Sequence, residues 1–142
     1  MNDLDRAIDM LEKIKSPEVF NPVALTIHQQ IKRRIYTEGK NAKGAKIGNY
    51  APSTLKTRNN PKNRGRVPQS RNIILQFSGQ MVRDFTPIKQ GDFILGSGFK
   101  NTVNNRKARW IERQQTQKIF EMTTAEERLF ENLLQKQVDR LS

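Results

Sequence analysis

The most apolar part of this otherwise polar chain lies between residues 71 and 98, directly after a long basic segment broken by glycine, asparagine and proline. Any fold must be built around it, because apolar burial is the main force that compacts a chain. It reads in three pieces. Ile73, Ile74, Leu75 and Phe77 form an apolar run too short for periodicity to separate strand from helix. Ser78 then turns the chain with Gly79 and caps a short helix, accepting a hydrogen bond from a backbone N–H near Met81. Met81, Val82 and Phe85 fall on one face of that helix. Two β-type runs follow, 86–89 and 92–97, joined through Gln90-Gly91 as a hairpin. Pro87 has no N–H to give a ladder, so its strand lies at an edge or begins there.

Helical periodicity flanks this core. Leu4, Ala7, Ile8, Leu11 and Ile14 recur at three- and four-residue steps, predicting a helix over about 3–15 with Asn2 or Asp3 as its cap. Ser16-Pro17 ends it, since the residue before proline is pushed out of the α region. Asn21 and Pro22 read as the cap and first residue of a second helix, over about 22–38. Ala24, Ile27, Ile31 and Ile35 are its apolar stripe, and Gly39 can take the left-handed conformation that closes it. Residues 99–108 read as a polar linker, and 109–141 as a C-terminal helical part. There Thr124 and Glu127 form a capping box ahead of Leu129, Phe130, Leu133, Leu134, Val138 and Leu141.

The pattern predicts one α+β domain over 1–142: a small antiparallel sheet, the hairpin at about 85–97 plus further strands, packed against N- and C-terminal helices. A hairpin alone is marginal, so residues 73–77, the linker or a neighbouring subunit are expected to supply more strands.

Charge is the second constraint. Twenty-six Lys and Arg against 14 Asp and Glu give a formal net charge of +12. Lys40, Lys43, Lys46, Lys56, Arg58, Lys62, Arg64, Arg66 and Arg71 fall in a predicted basic loop, 39–71, without one acid among them. Loops this long inside a domain are usually functional or disordered. This one suits phosphate contacts or docking on an acidic partner, with a merely solvated loop disfavoured by its self-repulsion. Tyr50 is its only ring, read as a pin to the core and too few for a stacking platform. Trp110, the only tryptophan, is either an interface anchor or core packing beside Ile111.

His28, the only histidine, reads as a half-buried helical residue with no second histidine to build a zinc site. Most carboxylates lie in the terminal helices, so no catalytic residue, metal site or cofactor is expected, and an enzyme such as a nuclease is disfavoured. The absence of cysteine fits a reducing compartment. No apolar run approaches the roughly 20 residues of a membrane span. The acidic N-terminus is unlike a signal peptide, so synthesis and folding in a cytoplasm are expected.

Within the basic segment Gly44, Tyr50, Pro52 and Thr54 follow one another as a glycine turn, an aromatic anchor and a Pro-x-Ser/Thr cap. Leu75, Ser78, Gly79 and Met81 come next, then Leu95-Gly96 at the hairpin end, then Ala108-Arg-Trp110 with Glu112. In this order, over roughly residues 24–140, the chain resembles the virion morphogenesis, or tail-completion, family of tailed bacteriophages. It departs from that pattern at Tyr50, where the family usually has tryptophan, and beyond Glu112, where the customary glycine and Arg-Pro-Phe run are missing. Gln114-Gln115 and Ile119-Phe-Glu-Met122 stand there instead, closer to the Phe-x-Leu-Thr-x-x-Glu ending of some members. The resemblance implies a structural virion protein made in a bacterial cytoplasm. It would act in tail completion at the head–tail neck as a homo-oligomer among other neck and tail proteins, with non-specific DNA contact possible and no membrane. Residue reading alone leaves a small basic nucleic-acid-binding protein as the alternative.

Overall fold

Asn2 opens the first helix. Its side chain accepts from the Asp5 backbone N–H at 2.8 Å, while the Asp5 carboxylate accepts from the Asn2 N–H at 3.4 Å, so two orphan donors are satisfied reciprocally. The computed structural model describes residues 2–50, 52–53, 56, 59–60, 73, 75 and 80–141. Helix α1 (Asp3–Ile14) leans on the second and last helices, yet Leu4, Ile8 and Leu11 face water along it.

The second helix, α2 (Pro17–Tyr36), corrects the predicted start at Pro22. Ser16-Pro17 not only ends α1 but begins α2, with Pro17 in the first turn where its missing N–H costs nothing. Pro22 lies inside the helix and forfeits one ladder bond. Tertiary packing holds the added turn: the Phe20 ring meets Phe93 and Phe130 edge-on, at 5.9 and 5.6 Å between centroids. Asn21, freed from capping, reaches the hairpin. It donates to the Asp92 carbonyl at 2.7 Å and accepts from the Ile94 N–H at 2.9 Å. At the far end Gly39 is left-handed (φ 65°), as predicted, and the Lys40 N–H turns back to the Arg34 carbonyl at 2.9 Å.

Helix α3 (Gln80–Asp84) runs straight into an antiparallel hairpin of β1 (Phe85–Gln90) and β2 (Phe93–Phe99). Phe85, expected on the helix face, is instead the first strand residue and pairs with Phe99. Asp92, expected in a strand, joins Gly91 (φ 61°) in the two-residue turn, because a left-handed first position matches the right-handed twist of the strands. The register then steps past Leu95 between the Ile88–Gly96 and Lys89–Ile94 pairs.

The predicted linker is mostly helix. Asn101 caps α4 (Thr102–Gln115) by accepting from the Val103 N–H at 2.8 Å, and the Asp84 carboxylate accepts from Asn101 N–H and Asn104 Nδ2 at 2.9 and 3.0 Å. The Asn104 contact first, then the Asn101 amide, hold the Asp84 carboxyl below its usual range. The asparagines read as loop-formers are therefore cap and bridge. The last helix, α5 (Thr124–Leu141), is capped one residue earlier than predicted, through Thr123 and Glu126 rather than Thr124 and Glu127. Among the described residues the sheet has two strands, and the linker adds none. The chain is α+β, as the pattern predicts.

The core lies where α2 crosses the hairpin. Ile27, Ile31, Ile35 and Tyr36 meet Phe85 and Phe99, closed by Ala108, Ile119, Ile47 and Ile73. Phe85 is its centre, with His28, Tyr36, Phe99 and Phe120 ringed round it at 5.3–6.3 Å between centroids.

Candidate interaction surface

Arg34, in the last turn of α2, is buried at 5% exposure and gathers three other pieces of chain. Its Nε donates to both Glu126 carboxylate oxygens at 3.1 Å. Nη1 donates to the carbonyls of Lys40 (3.1 Å) and Ile119 (2.9 Å), and Nη2 to that of Glu121 (2.6 Å). The same Glu126 oxygen accepts from the Thr123 N–H, so one carboxylate caps α5 and neutralises the arginine.

This network fixes the first part of the predicted basic loop. Residues 39–50 form a tight turn bridged between Lys40 and Lys46. The Asn41 carbonyl oxygen accepts from the Lys43 and Ala45 N–H groups, its amide donates to Gln117, and the Gln117 amide donates to the Ile47 carbonyl. The Ala42 N–H reaches the Lys118 carbonyl at 2.9 Å. To make these contacts the chain leaves α4 through Thr116 in a left-handed conformation (φ 53°), strained for a β-branched residue. The part of the loop over 39–50 is thus a built element, which glycine and lysine content alone does not disclose.

A basic cleft opens beside it, lined by Arg109, Glu112, Arg113, Gln117 and Lys118. Glu112 is committed inward, its carboxylate accepting from the Ile119 N–H at 2.7 Å. Among the described residues Arg109, Arg113 and Lys118 form no ion pair, so the cleft presents net positive charge. Trp110 stands on the same helix with 58% of its surface in water, outside the core, while Ile111 is the half-buried neighbour.

Of the residues singled out from sequence, Lys43, Lys46 and Lys56 are exposed and Lys40 is half-buried. Tyr50 is half-buried and packs against the core. Arg58, Lys62, Arg64, Arg66, Arg71, Ser78 and Gly79 lie outside the described residues. Sequence reasoning missed Arg34, Glu126 and Asn41 as organisers. For Asn41 a signal existed, since asparagine ahead of glycine favours such side-chain-closed turns.

His28 is 3% exposed, with Nδ1 2.7 Å from Ser97 Oγ and its ring stacked on Phe85. Burial, and secondarily the Lys32 charge, push its pKa below the ordinary 6.5. The unfolded state then binds more protons around that pH, so stability is complete above 6.5 and declines as pH falls through it. Urea midpoints across this range are expected to show that decline, and His28→Gln to remove its share. No three of the described His, Asp and Glu side chains gather to hold a metal, and no described helix is long and apolar enough to cross a membrane. Compared with known proteins, the chain matches no protein-family model, no curated protein and no solved structure.

Proposed function

We propose that this chain is a structural protein of a tailed-bacteriophage particle, acting in tail completion at the head–tail neck as part of an oligomeric assembly. The observation that carries this reading is the ordered set of motifs over 24–140. It is supported by the place of the last one: Ala108 and Glu112, four residues apart, share the inward face of α4, one buried and the other closing on Ile119. The partners are copies of the same chain and other neck and tail proteins. The basic turn and cleft, with Trp110 beside them, are the surface for an adjacent ring protein or for passing DNA. Peptide mass spectrometry of purified particles, followed by antibody labelling in the electron microscope, tests this. Label at the neck or upper tail is the expected result; absence from intact particles overturns it.

A nucleic-acid-binding role is favoured by one observation, Arg109, Arg113 and Lys118 around a single cleft with no ion pair among the described residues. Under that reading each phosphate contact contributes about 0.9 to the slope of log K against log salt. Changing Arg109, Arg113 and Lys118 to glutamine is then expected to flatten the slope in a DNA-binding titration while leaving stability within about 0.5 kcal/mol. A slope that does not move removes the cleft from DNA binding.

A further inference from the structure

We infer that copies of this chain join head to tail, the apolar stripe of α1 on one copy seating in the groove beside β1 of the next; this rests on the oligomeric reading above. Leu4, Ile8 and Leu11 are 68%, 46% and 57% exposed, and they recur so as to form one continuous stripe. Large apolar side chains in line on a helix are what a helix-in-groove contact uses as anchors. Asp5, Asp9 and Glu12 each follow one residue after a member of the stripe; Asp9 is paired with Lys13 at 3.1 Å, and Asp5 and Glu12 keep that long edge acidic.

The groove is the counterpart. Leu25 of α2, Pro87 and Ile88 of β1 and Ile94 of β2 form its apolar floor, and Lys89 and Lys100 stand on its rim. Leu25 and Ile88 are 42% and 38% exposed there. No carboxylate lines this groove among the described residues. An apolar helix edged by acids thus meets an apolar groove edged by lysines, both on the same chain. Charge selects this occupant over a generic apolar one. In a chain of net charge +12, like copies repel unless an acidic element is turned toward the next copy, and α1 supplies it. Because the two surfaces differ, the contact is heterologous, and repetition closes a ring or extends a filament.

The test is sedimentation velocity of the full chain over a range of concentrations, alone and as variants, with circular dichroism to verify folding. The unsubstituted chain is expected to self-associate, less so at high salt. Ile8→Asp, which spoils the stripe, and Ile88→Asp, which spoils the groove, are each expected to weaken association by at least about tenfold. Mixed together, they retain one good stripe and one good groove, so a discrete one-to-one pair is expected that grows no further. As a second measure, Asp5→Lys with Glu12→Lys weakens association, and mixing with Lys89→Glu, Lys100→Glu restores it. Folded variants that associate as the unsubstituted chain does overturn the inference while leaving the neck reading to its particle test. A chain that stays monomeric throughout overturns it as well, and absence from particles then sinks the neck reading separately.

Discussion

Arg34→Ala is expected to lower the unfolding free energy by about 3–5 kcal/mol, the range for breaking a buried ion pair from one side. The cost arises because the Glu126 side chain, 7% exposed, loses the guanidinium it pairs with, while the carbonyls of Lys40, Ile119 and Glu121 lose their donor together. Urea unfolding followed by circular dichroism measures it. Glu126→Gln is expected to cost less, because an amide oxygen can still accept from the Thr123 N–H at the head of α5. Exchanging both partners for apolar residues, often harmless elsewhere, is expected to remain costly here, since the buried Ile119 carbonyl is left without its donor. An Arg34→Ala midpoint equal to that of the unsubstituted chain removes the network from the account of what holds 39–50 in place.

Phe85→Ala is the second large effect, again about 3–5 kcal/mol, from lost transfer energy and the cavity left behind. Phe85 is 2% exposed and meets the rings of His28, Tyr36, Phe99 and Phe120, so no single neighbour can move in to fill the space. Thermal and urea midpoints are expected to fall, and the near-ultraviolet signal of Tyr36, whose ring packs on Phe85, to weaken as packing loosens. A loss below about 1 kcal/mol places the centre of the core elsewhere.

The features legible in the sequence are those written in local periodicity. The Ala24, Ile27, Ile31 and Ile35 stripe, the left-handed Gly39 and the hairpin through Gly91 depend on neighbours a few residues away. What sequence reading missed depends on distant partners. Pro22 reads as a helix start until Phe93 and Phe130 are known to grip Phe20 one turn earlier. Thr124, with Glu127 three residues on, reads as the last cap, but the cap is Thr123. Arg34 accounts for the shift, because Glu126, three residues after Thr123, is the acid that faces it. Asn101 and Asn104 look like loop residues unless the Asp84 carboxylate is seen to order them. In the candidate interaction surface, Lys40, Lys43 and Lys46 were legible as charges. Their setting in a closed turn was not, since Lys118 and Gln117 complete it from the other half of the chain.

The Arg34–Glu126 pair spans 92 positions, and this separation acts on the chain while it is being made. At about 5–20 residues per second, roughly 5–20 s pass between the synthesis of α2 and that of its carboxylate partner. Through most of that interval the Arg34 guanidinium has only the Lys40 carbonyl of its native partners, and the 39–50 turn lacks Gln117 and Lys118 to close against. The nascent protein therefore carries this basic turn unlatched until residues 117–126 have been made, and its interaction surface is completed only by the last part of the chain.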